Sequence, residues 1–120
     1  MEFQLHSVGT TTIAELKSPG LVIESGSDFL DLMANAGSRT LLLHHHHLPP
    51  RFFVLKSGLA GEILQKVSNY GLKVGIIGDF SELAFGALGD FIRESNRAGQ
   101  VVFVSNTQEA IDRFGGDQEA

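Results

Sequence analysis

Four consecutive histidines, His44 to His47, are the first residues in the chain whose type and spacing can do chemistry. Imidazole is a common metal ligand, and it exchanges a proton near neutral pH. On an extended segment alternate histidines project to one side, as a shared ligand would require. Yet no Asp or Glu adjoins the run, the chain has no cysteine, and no HExxH spacing occurs. A metal at His44, His45, His46 and His47 therefore lacks ligands to complete it. The run reads first as a partly packed loop, and no cofactor is expected. A second candidate is Lys56-Ser57-Gly58. Ahead of a helix, Ser57 can cap the backbone through its hydroxyl, or it can mark an anion or phosphorylation site, because a helix start favours negative charge. A third is Gly78-Asp79-Phe80-Ser81, where Asp79 and Ser81 read as loop and cap residues. Phosphate-loop and dinucleotide fingerprints are absent, and so is a nucleophile elbow.

These residues need elements to hold them. Phe3 to Val8 and Thr12 to Leu16 alternate weakly around Gly9 and predict an antiparallel hairpin. In the second strand Ile13 shares a face with Glu15, and Ala14 with Leu16. Leu21 to Ile23 is a short third strand or an extended link. Ser25 or Ser27 starts a helix whose inner arc holds Phe29, Leu32, Met33 and Ala36, and Gly37 stops it. Leu41 to Leu43 is too continuously apolar for a half-exposed strand and predicts a buried central one. After Ser57 the clearest helix places Leu59, Ala60, Ile63, Leu64, Val67 and Tyr70 on one face. Glu62 and Lys66 lie on the other as an i, i+4 pair. Lys73 to Ile77 is the next strand. A helix from Phe85 to Asn96 buries Leu88, Phe91 and Ile92, and carries Gly86 and Gly89 on its opposite face. Gln100 to Val104 is the last strand, and Thr107 caps a short helix from Glu109 to Phe114.

The order predicts an α/β fold with a mixed four- to five-stranded sheet. The N-terminal antiparallel hairpin is followed by parallel β-α-β units with right-handed crossovers. In such a sheet ligands bind beyond the carboxyl ends of the strands. That rim would collect His44, Ser57, Asp79, Ser81 and Asn106. At 120 residues the chain makes one domain, and 42% apolar with 19% charged residues argues against disorder. A net charge of −5 disfavours nucleic acid as a partner. No apolar run approaches the ~20 residues that span a bilayer, and the first residues lack a signal-peptide pattern, so a cytoplasmic protein is expected.

The runs Leu48-Pro-Pro-Arg-Phe-Phe53, Lys56 to Tyr70, Gly78-Asp-Phe-Ser81 and Asp90 to Asn96 resemble a bacterial family of uncharacterised proteins, domain of unknown function forty-one-eighty. The likeness covers nearly the whole chain, departs at Val54 and from Phe85 to Gly89, and implies no activity. The order from Leu41 through Ser57-Gly58 to the last helix also resembles the STAS domain of anti-sigma-factor antagonists. There the serine at this step is a phosphorylated switch, and Ser57 is similar in placement. The usual Asp-Ser-Ser-Gly context is missing, and the loop from His44 to Lys56 is longer. The resemblances imply a single STAS-like domain over residues 1–114 with a flexible tail at 115–120. The expected function is non-enzymatic and regulatory. A protein partner, a second copy of the chain or a small anion would bind at the strand-end rim near Ser57. Ser57, Gly58, Asp79, Ser81, Gly86 and Gly89 are the candidate contact residues. The rival is a small enzyme or metal protein using His44–His47 with Asp79.

Overall fold

A computed structural model describes residues 2–116. Its elements in order are β1 (Phe3–Val8), β2 (Thr11–Leu16), α1 (Gly26–Ala36), β3 (Thr40–His44), α2 (Leu59–Asn69), β4 (Lys73–Ile77), α3 (Gly86–Ala98), β5 (Val101–Val104) and α4 (Thr107–Gly116). Short 3₁₀ turns at 45–47, 50–53 and 55–57 fill the long connection before α2. The five strands lie side by side in chain order. β1 and β2 pair antiparallel, and every later pair is parallel. This is the mixed α/β sheet that the patterning predicts.

Each parallel strand lies next to its predecessor, so right-handed crossovers drop α1, α2 and α3 on the same face. Phe29 and Leu32 of α1, Ile63 and Val67 of α2 and Ile92 of α3 form one core there with Ala14, Leu16, Leu41, Leu43, Val74, Ile76, Val101 and Phe103. The alternate strand residues Ile13, Leu42, Ile77, Val102 and Val104 turn to the other face, where, among the described residues, α4 covers them through Ala110 and Phe114. Gly75 lies beneath α4, and a Cβ there would stand 2.9 Å from Leu42 and 3.3 Å from Phe114. β3 and β4 are buried on both faces, which explains their unbroken apolar runs.

Of the two readings of Leu21 to Ile23, the extended link holds, fastened by Val22 and Ile23 N–H groups that both donate to the His47 carbonyl at 3.1 and 3.0 Å. Other expectations change. Tyr70 is 56% exposed, because it closes α2 where the chain leaves the core. Asn106, rather than Thr107, caps α4 by accepting the Glu109 N–H at 2.8 Å. α4 runs on through Gly115 and Gly116, with Gly115 buried against Val8, and residues 117–120 of the expected tail lie outside the described residues. Phe85 is 76% exposed at the start of α3, and Gly89 is buried.

Candidate functional site

Ile13 and Glu15 share a face of β2, and that face is interior. Glu15 is consequently 2% exposed. The sheet register supplies its partners. His6 stands opposite Ile13 on β1, diagonal to Glu15; Leu42 stands opposite Glu15 on β3, with His44 two residues further on. His6 Nε2 lies 2.8 Å from Glu15 Oε1, and His44 Nε2 lies 2.8 Å from Oε2. A carboxylate only accepts, so both imidazoles donate from Nε2, and the His44 ring also accepts the His47 backbone N–H. The Lys17 ammonium donates to Oε2 at 3.5 Å, and Thr107 Oγ1 at the start of α4 donates to it at 3.3 Å. One carboxylate thus ties together β1, β2, β3 and α4.

Burial by itself would raise the Glu15 pKa. The hydrogen bonds from His44 and His6 and the charge of Lys17 outweigh it, and the carboxyl is held below its ordinary value. The group is therefore an ionised carboxylate inside the protein, a costly arrangement unless it is fully partnered. Here it is fully partnered.

The histidine turn follows directly. His47 is completely buried. Its Nδ1 accepts the His44 backbone N–H at 2.9 Å, and its Nε2 donates to the Ser18 carbonyl at 2.7 Å. Burial and the neighbouring imidazoles push its pKa down to about 4, so it is neutral at physiological pH. His46 Nε2 donates to the same Ser18 carbonyl at 3.2 Å. His45 is exposed and lies against Gly78. The rings pack against one another, with His46 and His47 centroids 4.2 Å apart, yet among the described residues no three His, Asp or Glu side chains converge to hold a metal.

Two hollows flank the turn. One, of about 290 Å³, is lined by Leu16, Lys17, Ser18, Pro19, His44, His46 and His47. The other, of about 280 Å³, lies between the turn and the loop after β4 and is lined by His45, His46, Leu48, Phe53, Asp79 and Phe80, among others. Asp79 is exposed; its Oδ1 accepts from the Ser81 hydroxyl at 2.7 Å and the Ser81 N–H at 3.1 Å, which lowers its pKa.

The predicted residues are thus brought together only in part. His45, His46 and Asp79 share a hollow, but Ser57 and Gly58 do not line it. The Ser57 hydroxyl donates to the Arg51 carbonyl at 2.6 Å and accepts the Leu59 N–H at 3.3 Å, while Gly58, not Ser57, is the N-cap residue of α2. Gly58 has φ +82° and Gly86 φ +62°, values that L side chains rarely adopt. A Cβ on Gly89 would stand 2.5 Å from the Ala84 carbonyl carbon, so close backbone packing within the chain accounts for this glycine.

Glu15, His6, Lys17 and Thr107 were not candidates from sequence. The available signal was Glu15 on the Ile13 side of a strand with no polar face.

The chain belongs to the family described as Domain of unknown function (DUF4180), whose model matches residues 8–114. No curated protein and no solved structure matches it.

Proposed function

We propose that this is a non-enzymatic binding domain that takes up a small anion, a carboxylate or phosphate group, in the hollow lined by Lys17, His44 and His46. The reading rests on one observation: an ionised, buried Glu15 fixes Lys17 and His44 on the wall of that hollow. The Lys17 ammonium keeps further N–H donors for a ligand, and the His44 ring is held in place by Glu15 and the His47 backbone N–H. Preorganised donors of this kind recognise an anion without ordering flexible side chains first. The site belongs to the strand-end rim, but to the β2–β3 side of it, away from Ser57. A regulatory role in a bacterial cytoplasm, with a STAS-like order of elements, is the setting this reading assigns. The sequential β-α-β arrangement supports that setting.

The test is a titration of the intact chain with inorganic phosphate and with acetate, followed by amide and imidazole NMR. Shifts confined to Leu16–Pro19 and His44–His47 are expected. Lys17→Ala should weaken binding by about tenfold, the worth of one charge-assisted hydrogen bond. Shifts elsewhere, or an unchanged affinity in Lys17→Ala, would refute the site.

The shared hollow of His45, His46 and Asp79 favours a second reading, a small enzyme working at the β3–β4 side of the rim. Asp79→Asn would then abolish a turnover that Lys17→Ala leaves intact.

A further inference from the structure

The two edges of the sheet are treated differently. At the β5 edge, Asn96 of α3 occupies the outer backbone. Its Oδ1 accepts the Phe103 N–H at 2.7 Å, and its Nδ2 donates to the Phe103 carbonyl at 3.4 Å. Ser95 Oγ donates to the Val101 carbonyl at 2.5 Å. No further strand can pair there without displacing these side chains. At the β1 edge, among the described residues, no side chain caps the outer backbone. β1 pairs with β2 alone, and every second residue of an antiparallel edge strand turns its N–H and C=O away from its neighbour. Exposed edges are commonly protected by Lys, Pro or a bulge. Phe-Gln-Leu-His-Ser-Val has no Lys, Arg, Asp, Glu or Pro, and its pairing with β2 runs residue for residue without a bulge. Leu5, on the face that carries α1, α2 and α3, is 60% exposed.

We propose that the chain forms a twofold dimer in which β1 pairs antiparallel with β1 of a second copy, joining two sheets of five strands into one. The occupant follows from the edge itself. An antiparallel pairing about a twofold axis is self-complementary, so the same open edge serves both copies. With Leu5 opposite Leu5, Gln4 faces His6 and Phe3 faces Ser7, and each residue stays on its own face of the sheet. The exposed leucines cover each other. No charge faces its own kind, because β1 carries none and Glu2 falls opposite Val8. The Gln4 amide of the second copy meets the His6 ring, whose Nε2 is already spent on Glu15 and whose Nδ1 is an acceptor. The dimer thereby braces His6 from outside. Because Asn96 and Ser95 close the β5 edge, assembly stops at two.

Sedimentation of the intact chain over a wide concentration range tests this. The expected mass rises toward twice 13.0 kDa. Leu5→Lys places two ammonium groups face to face, and Ser7→Lys is a second exposed substitution on the same strand. Each should return the protein to monomer with an unchanged circular dichroism spectrum. Amide exchange in β1 should slow as concentration rises. A monomer at every concentration, a dimer undisturbed by both variants, or β1 exchange independent of concentration would overturn the proposal. Anion binding by a monomer would leave the proposed function standing while this inference fails.

Discussion

Glu15 shows how much one side chain can organise. Removing it leaves two imidazoles, an ammonium and a hydroxyl around a cavity, and breaking a buried ionic cluster costs about 3–5 kcal/mol. Glu15→Ala should lose stability of that order in urea unfolding. Glu15→Gln keeps the volume and some of the hydrogen bonds, and should lose distinctly less. His47 makes a prediction about pH. Its folded pKa, about 4, lies below the ordinary 6.5, so between those values the unfolded chain binds the extra proton. Stability contributed by neutral His47 is whole above about pH 6.5 and falls as pH drops toward 4, by on the order of 3 kcal/mol. Glu15 has the same sign in a lower window. Its folded pKa is depressed, so its contribution is present above the unfolded value and lost as pH falls through the folded one. Unfolding free energies measured from pH 7 to 4 should decline in the wild type and decline less in His47→Phe.

At the scale of the elements, local pattern was a good guide wherever packing repeats. The period of α2 identified Leu59, Ala60, Ile63 and Val67 as core, and all four are buried. The unbroken run Leu41 to Leu43 identified the central strand. Pattern failed where a single contact decides. Tyr70 fits the α2 arc but sits past its last core turn. Gly89 fits the outer face of α3, yet the chain from Ala84 folds back over it. The two α3 glycines should therefore behave alike for different reasons. Gly89→Ala gains about 1 kcal/mol of helix propensity but forces backbone apart at a cost of about 1–3 kcal/mol. Gly86→Ala must hold a left-handed conformation at about 1–2 kcal/mol. Both substitutions should lower the melting temperature. A rise in either would show that the glycine is not required by the fold. Ser57→Ala, by contrast, removes the hydroxyl that joins the Arg51 carbonyl to the Leu59 N–H and should cost about 1 kcal/mol, as the loss of an ordinary hydrogen bond does.

For the whole molecule, the order of strands and helices was legible because consecutive β-α-β units permit few arrangements. The site was not. Glu15 acquires its partners from β1, β3 and α4, and those contacts depend on register, which no local pattern states. Among the described residues the histidine run converges on no metal site. His44 and His47 act separately, one binding the buried carboxylate and the other fastening the link after β2 to the turn. The most constrained group among the described strand ends, Glu15 with its partners, lies at the β2–β3 side. Everything proposed for that end requires Glu15 to remain ionised although it is buried. A carbon-13 titration of the Glu15 side-chain carboxyl in the intact chain measures this directly. A midpoint below the ordinary 4.5 is predicted, since the imidazole hydrogen bonds and Lys17 outweigh burial. A midpoint above 4.5 would mean that burial wins, and would contradict the preorganised site.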